Sequence, residues 1–143
     1  MAALSAERNT VRRGGDRFSR PVEAATKIYL GGLTCLNAAG NAVPGSVSTT
    51  LKADGVCTTT VDNTAGAAGA LTVEVRPGIY RFDNSAAGDL IDQTCILTNC
   101  YIVDDHTVAK TSGTSTRSVA GLVMDVDATG VWVRVGQAPF PIV

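Results

Sequence analysis

The chain has 143 residues and a formal net charge of −1 at pH 7, and 17% of its residues are charged. With a mean hydropathy of +0.16, this composition excludes a chain that is disordered throughout. No stretch approaches the roughly 18 consecutive apolar residues of a membrane span, so we expect no membrane partner. Because no short apolar segment near residue 1 resembles a signal peptide, we expect synthesis in the cytosol. The length predicts one domain with a substantial core.

The charge is distributed unevenly along the chain. Residues 1–22 carry five arginines and two acidic side chains, whereas residues 23–143 carry seven basic and eleven acidic ones. A domain that binds nucleic acid is normally basic over a whole face, and this body is acidic, so we expect no direct contact with nucleic acid. Residues 1–22 lack a sustained helical or strand period, which predicts an extended arm that becomes ordered on a partner. A frayed, solvated terminus is the alternative.

The predicted arm contains the first candidate contact residues. Arginine side chains pair with carboxylates on protein surfaces, and they also bind phosphates. No series of aromatic residues accompanies them for base stacking, which favours a protein partner. The predicted contact residues of the arm are Arg12, Arg13, Arg17, Phe18 and Arg20.

Short alternating segments predict strands from residue 23 onward. Apolar residues alternate around Gly31-Gly32, and the threonine-rich stretch 51–61 has the composition of a half-exposed strand. Residues 62–70 are small or polar, with no large apolar side chain to hold them. We expect a mobile loop there unless a neighbour packs on it.

The clearest strand pattern lies in residues 71–82. Before Pro77-Gly78 the apolar residues Val73 and Val75 occupy odd positions, and after it Tyr80 and Phe82 occupy even ones. Proline cannot donate a hydrogen bond to a strand ladder. The shift from odd to even positions therefore predicts a bulge or a sharp bend at Pro77-Gly78.

The second half of the chain predicts one hairpin and a second pair of contact residues. Residues 119–126 and 131–135 alternate on either side of a turn at 128–130. The valines of the second strand face inward, which places Trp132 and Arg134 together on the opposite face, where they are candidates for subunit contacts. Alternatively, a second sheet or a loop covers Trp132. Residues 84–93 predict one helical turn at most.

These patterns together predict an all-β fold of about eight or nine short strands. We expect a single-domain β-sandwich or jelly-roll-like barrel over residues 23–136. The extended basic arm (1–22) precedes it. An extended apolar tail (137–143) follows, whose two prolines prevent pairing as a central strand.

The cysteines are candidates for a metal site only in combination with the single histidine, His106. Structural zinc sites normally contain two closely spaced cysteine pairs, and this chain offers one loose pair, Cys95 and Cys100. In the reducing cytosol we expect Cys35, Cys57 and this pair to be thiols that pack as small buried hydrophobes. The sequence therefore predicts no metal site.

His106 also limits the possible catalytic schemes, because any Ser-His-Asp or Cys-His arrangement needs it. The chain has no Gly-x-Ser-x-Gly nucleophile elbow and no glycine-rich phosphate loop. The adjacent Asp104 and Asp105 are typical of turn aspartates that bond to the backbone. We predict that the protein is not an enzyme and has no catalytic residue and no cofactor.

Three stretches together resemble a known family. The first is Ile28–Asn37 with the turn Asn37-Ala38-Ala39-Gly40. The second is Leu71-Thr72-Val73-Glu74-Val75-Arg76-Pro77-Gly78-Ile79-Tyr80-Arg81-Phe82, and the third joins Cys100–Val108 to Gly130-Val131-Trp132-Val133. In these stretches the chain is similar to small structural proteins of tailed bacteriophages, the capsid cement or head decoration proteins. The resemblance spans most of residues 22–136.

The resemblance implies a β-sandwich or jelly-roll-like domain bound to the outer surface of the capsid after synthesis in the host cytoplasm. Such proteins form homodimers or homotrimers at symmetry axes. They bridge subunits of the major capsid protein and stabilise the DNA-filled shell. The family offers no catalytic residues.

Two other hypotheses stay open. One is a different virion module, such as a head–tail or tail component or a host-surface adhesin, which would use Trp132 with Tyr29 or Tyr101 as an aromatic patch. The other is a small enzyme or metal-dependent domain built around His106 and the cysteines.

Overall fold

The computed structural model describes residues 2–136, and the predicted tail (137–143) lies outside the described residues. Residues 2–136 form almost only strands, with single 3₁₀ turns at Ala87–Asp89 and Gln93–Cys95, which confirms the predicted all-β fold. No helix among them is long and apolar enough to cross a membrane. The strands are β1 (Phe18–Pro21), β2 (Thr26–Ile28), β3 (Leu33–Leu36), β4 (Ala42–Pro44), β5 (Lys52–Cys57), β6 (Val61–Asn63), β7 (Thr72–Arg76), β8 (Gly78–Phe82), β9 (Asn99–Ile102), β10 (Val108–Ala109), β11 (Val119–Asp127) and β12 (Gly130–Val135).

The described strands number twelve, more than the sequence predicts. The additional ones are short, since β2, β4 and β6 have three residues each and β10 has two. A segment of this length cannot display a recognisable alternation of apolar and polar residues, because one alternation already needs two residues. Such strands are defined by the neighbours with which they pair.

The strands form two five-stranded sheets and a two-stranded ribbon. The first sheet has the order β1-β7-β5-β3-β4, the second has the order β10-β9-β11-β12-β8, and β2 pairs with β6. Every pairing of these strands is antiparallel. One isolated parallel bridge joins the two edges of each sheet: Val22 with Ala42 in the first, and Asp83 with Thr107 in the second. In each sheet, a single bridge therefore connects the two opposite edges.

The first sheet is buried on both faces. Adjacent residues of β5 belong to different cores, because Val56 contacts the core between the sheets and Cys57 contacts the core beneath the β2–β6 ribbon. The core between the sheets contains Leu33, Cys35, Val56, Phe82, Ile91, Cys95, Cys100, Ile102, Val108, Ala120, Val123, Val131, Val133 and Val135. The core beneath the ribbon contains Val22, Ile28, Ala42, Cys57, Val73 and Val75.

The bend predicted at Pro77 is the point where the chain crosses from one sheet to the other. Strand β7 ends at Arg76 in the first sheet, and β8 begins at Gly78 in the second. The shift from odd to even positions follows from this crossing. Val75 faces the core beneath the ribbon, whereas Phe82 faces the core between the sheets.

Part of the predicted arm belongs to the folded domain. Strand β1 pairs with β7 in the register Phe18 opposite Val75 and Pro21 opposite Thr72, and Val22 is fully buried. The pairing joins segments about fifty residues apart, so the local sequence gives no sign of it. Residues 2–17 precede β1 and are exposed throughout. We call these residues the exposed arm.

Asn63, at the end of β6, holds the loop for which the sequence predicts mobility. Its side chain is 2% exposed. Its amide nitrogen donates to the carbonyl oxygens of Glu23 and Ala67, both at 3.0 Å. The loop contains no large apolar side chain, and the hydrogen bonds of the buried Asn63 side chain connect it to the domain instead.

Candidate partner-binding surface

The base of the exposed arm is fixed by one ion pair and one aromatic ring. Arg20 in β1 donates from Nε to Oδ2 of Asp54 at 2.6 Å and from Nη2 to Oδ1 at 3.0 Å. The guanidinium carbons of Arg20 and Arg13 lie 4.7 Å and 5.7 Å from the centre of the Phe18 ring. The hydrogen bond to Asp54 raises the pKa of Arg20. The arm therefore leaves the domain at a defined place.

The rest of the exposed arm presents cations and apolar side chains together. Arg12 is exposed. Arg17 lies 3.9 Å from Glu74, and both side chains are largely exposed, so this pair contributes little to stability. Leu4 and Val11 are 72% and 90% exposed. A surface that combines carboxylates with apolar contacts is the chemical complement of such a segment.

Trp132 and Arg134 lie together on a second surface, the outer face of β12. Trp132 is half-buried and Arg134 is exposed, whereas the intervening Val133 is fully buried. Within residues 2–136, neither a second sheet nor a loop fully buries Trp132. Its indole nitrogen donates to Oδ2 of Asp127 at 2.9 Å, and Arg81 from the neighbouring strand lies 5.9 Å from its ring centre.

Asp127 fixes the orientation of this tryptophan. Thr129 and Trp132 donate hydrogen bonds to its carboxylate, and these bonds lower the pKa of Asp127 to about 2. The indole is therefore held in one position on the sheet face throughout the neutral pH range. The sequence analysis identified Trp132 and Arg134 but missed Asp127 and Arg81, which position the ring. The sequence feature that could have identified Asp127 is its position directly before the Ala128-Thr129 turn. Aspartate at such a position commonly accepts hydrogen bonds from backbone and hydroxyl donors.

Tyr29, which the sequence analysis connected only to the adhesin hypothesis, forms an exposed apolar pair with Leu30. They are 58% and 64% exposed, and Lys27 lies 4.8 Å from the centre of the Tyr29 ring. Tyr101, by contrast, is half-buried in β9. The three aromatic residues of that hypothesis differ in exposure, and Tyr29 is the most accessible.

The surroundings of His106 form a small acidic cluster. Its Nδ1 lies 3.0 Å from Oδ1 of Asp104 and 3.1 Å from Oδ1 of Asp105, and its Nε2 lies 4.0 Å from Oδ2 of Asp83. The candidate ligand atoms of Asp104, Asp105 and His106 lie within 4.8 Å of one another, which is compatible with a divalent cation. No cysteine belongs to this group among residues 2–136.

The four cysteines are buried and unpaired, as the sequence analysis expected. Desolvation raises the pKa of Cys35 and of Cys100 to about 12. A thiol in this state is a poor nucleophile and a poor metal ligand, because both roles need the thiolate. These two side chains contribute apolar volume to the core between the sheets.

We expect the His106 imidazole to titrate above its ordinary pKa of 6.5, because Asp105 accepts its hydrogen bond and Asp104 and Asp83 add negative charge. A raised pKa in the folded state means that the protonated ring stabilises the fold below pH 6.5. This contribution is lost as the pH rises through the raised value. An NMR titration of this single histidine measures it. Asp105→Asn should lower the pKa, and an unchanged value in the variant would contradict the assignment.

Arg20→Gln and Asp54→Asn are each expected to lower the free energy of unfolding by about 2 kcal/mol. The Asp54 side chain is 12% exposed and that of Arg20 is 29% exposed, and removing one partner leaves a poorly solvated charge. Denaturant unfolding measures the loss. The matched control is Arg17→Gln, whose exposed pair with Glu74 should contribute less than about 0.5 kcal/mol. Equal effects of Arg20→Gln and Arg17→Gln would show that the Arg20 pair does not hold β1.

The sequence matches no family model, and comparisons with curated proteins and with solved structures find no similar chain.

Proposed function

We propose that the protein is a non-enzymatic capsid decoration protein of a tailed bacteriophage. It binds the outer surface of the head, bridges subunits of the major capsid protein and stabilises the DNA-filled shell. The observation that carries this proposal is the exposed arm, which extends from the edge strand of an all-β domain and presents arginines and apolar side chains to its surroundings.

The length and chemistry of the exposed arm suit a contact across a subunit seam. Sixteen residues in extended conformation span about 50 Å, which exceeds the diameter of a domain of this size. An extended segment adds contact area at the cost of ordering it on binding. The cations of the arm, with Arg12, Arg13 and Arg17 nearest to the domain, favour a partner surface that carries carboxylates.

Self-association completes the proposed role. Homodimers or homotrimers at symmetry axes engage several capsid subunits at once, which raises the overall affinity without any new contact. The outer face of β12, with the immobilised Trp132 beside Arg134, is the proposed contact between copies. Aromatic and arginine side chains dominate the binding energy of such interfaces.

The exposed pair Tyr29–Leu30 favours a second candidate function, namely another virion module such as a head–tail or tail component or a host-surface adhesin. Aromatic side chains with a polar tip are enriched at binding surfaces. This candidate predicts binding to a partner other than the assembled shell and a loss of that binding in Tyr29→Ser.

Co-sedimentation with shells of the parent phage that lack the protein tests the proposal. We expect saturable binding of the full chain that weakens as salt rises. The variant R12Q/R13Q/R17Q should bind at least tenfold more weakly. The matched control K52Q/R76Q/K110Q removes the same number of charges from the body and should bind like the full chain. If the folded full chain does not bind, the decoration function is wrong; if both triple variants bind equally, the arm is not the attachment.

A further inference from the structure

The outward backbone groups of an edge strand determine whether another strand can extend the sheet. In an antiparallel strand, alternate residues direct both their N–H and their C=O to the same side. The edge strands of the first sheet are β1 and β4, and where these edges meet, the N–H of Glu23 donates to the carbonyl oxygen of Ala42 at 3.1 Å. By alternation, Pro21 and Pro44 occupy the neighbouring outward positions. Proline has no N–H, so neither edge can continue a ladder.

The edge strand β10 of the second sheet already has partners for its outward groups. The N–H of Val108 donates to the carbonyl oxygen of Asp83 at 3.0 Å, and the carbonyl oxygen of Val108 accepts from the hydroxyl of Ser85 at 2.8 Å. The N–H of Lys110 donates to the carbonyl oxygen of Asp89 at 3.0 Å. Of the four sheet edges within residues 2–136, three are therefore closed to a further strand.

The remaining edge strand, β8, has outward groups without partners. Asp83 directly follows β8 and faces away from β12, because its N–H donates to the carbonyl oxygen of His106 at 2.7 Å and its carbonyl oxygen accepts from Val108 at 3.0 Å. By alternation, Ile79 and Arg81 direct their backbone groups to the same side, and within residues 2–136 neither has a backbone partner there. Both side chains are exposed. Strand β8 thus presents a row of free donors and acceptors to solvent.

We propose that two copies of the chain pair antiparallel through β8, a contact that specifies, and rests on, the self-association in the proposed function. A two-fold axis at Tyr80 places Ile79 of each copy opposite Arg81 of the other. Each free N–H then meets a free C=O, so the pairing satisfies the outward groups of both edges. A two-fold contact is complete with two copies, and this geometry selects a homodimer rather than a homotrimer.

The side chains favour the same register. Ile79 and Arg81 lie on the outer face of the sheet, where they are opposite Arg134 and Trp132 of β12. In the proposed pairing, Ile79 of one copy lies beside the aliphatic stem of Arg81 of the other. A register with Arg81 opposite itself would place like charges together, which is destabilising. The outer face of β12 borders the seam between the two copies.

Sedimentation equilibrium of the purified full chain, without shells, tests the inference. We expect a dimer whose dissociation is measurable. Ile79→Pro removes an outward N–H and no hydrogen bond within the domain. It should raise the dissociation constant of the dimer about tenfold or more, because the two-fold axis removes two hydrogen bonds at once. The matched control Ser19→Pro makes the same change at an outward position of β1 and should dimerise like the unmodified chain.

Disulfide trapping tests the register and does not depend on the folding of Ile79→Pro. Ile79→Cys and Arg81→Cys are prepared separately, and the four native cysteines are buried. Because residue 79 of one copy lies opposite residue 81 of the other, oxidation of the mixed variants should give more cross-linked dimer than oxidation of either variant alone.

The inference is overturned if the unmodified chain stays monomeric across the micromolar range, or if folded Ile79→Pro dimerises as strongly as Ser19→Pro. It is equally overturned if each cysteine variant alone cross-links as efficiently as the mixture. A failure of the proposed function is a different result. A chain that dimerises through β8 but does not co-sediment with shells loses the decoration function and keeps this contact.

Discussion

Gly136→Ala is expected to lower the free energy of unfolding by about 3 kcal/mol or more. A left-handed backbone conformation costs an L-residue about 1 to 2 kcal/mol, and φ of Gly136 is +74°. In addition, the new methyl group would lie 2.1 Å from the carbonyl oxygen of Asp54, so the main chain of β5 or β12 must shift, at a typical cost of about 1 to 3 kcal/mol. Denaturant unfolding measures the sum.

Gly31→Ala is the matched control for this substitution. Gly31 has a φ of +85°, and no atom lies within 4 Å of a Cβ built on it. It therefore carries the conformational cost without the clash and should lose only about 1 to 2 kcal/mol. If the two variants lose the same stability, the contact between Gly136 and Asp54 is looser than the 2.1 Å separation implies.

Asn63→Ala is expected to lower the free energy of unfolding by about 3 kcal/mol. The substitution removes two donors and leaves the carbonyl groups of Glu23 and Ala67 without the amide that now serves them. Each buried group that loses its partner costs about 1 to 3 kcal/mol. Thermal or denaturant unfolding measures the loss, and we expect faster proteolysis in residues 64–70 as well.

Asn99→Ala is the control for the asparagine substitution, because Asn99 is exposed in β9. Exposed substitutions of this kind change stability by less than about 0.5 kcal/mol. A loss below about 1 kcal/mol in Asn63→Ala would mean that water replaces the amide at both carbonyls. The loop would then be held by its backbone alone.

The parts of the fold that the sequence predicts correctly are encoded locally. The hairpin of β11 and β12 combines a turn signal at Gly130 with alternating valines. Val131, Val133 and Val135 are all fully buried, and the opposite face carries Trp132. The alternating residues, the turn and the buried valines all lie within about twenty residues. The local sequence is therefore sufficient to predict this hairpin.

The features that the sequence does not predict depend on residues far apart in the chain. Arg20 and Asp54 are 34 positions apart, and Gly136 reaches the same aspartate from the other end of the sequence. The sequence does not distinguish an arginine that pairs with a carboxylate of its own domain from one that pairs with a partner protein. Of the predicted arm contacts, Arg20 is therefore committed to the fold, whereas Arg12 and Arg17 remain exposed.

Asn63 illustrates the same limit for a polar residue. An asparagine among small residues is typical of a surface turn, and its burial follows only from the pairing of β6 with β2. The neighbouring Gly66 packs so closely that a Cβ atom there would lie 2.1 Å from the Asn63 side-chain oxygen. Only the assembled structure reveals that these two residues are fitted to each other.

Burial protects the thiols of Cys35 and Cys100 from oxidation. With a pKa of about 12, Cys35 and Cys100 are ionised at pH 7 in only about one molecule in 100,000, and oxidation begins from the thiolate. A chain synthesised among cellular reductants would thus keep these thiols unchanged after release into an oxidising medium. Neither of these two thiols would need a reductant to remain unmodified.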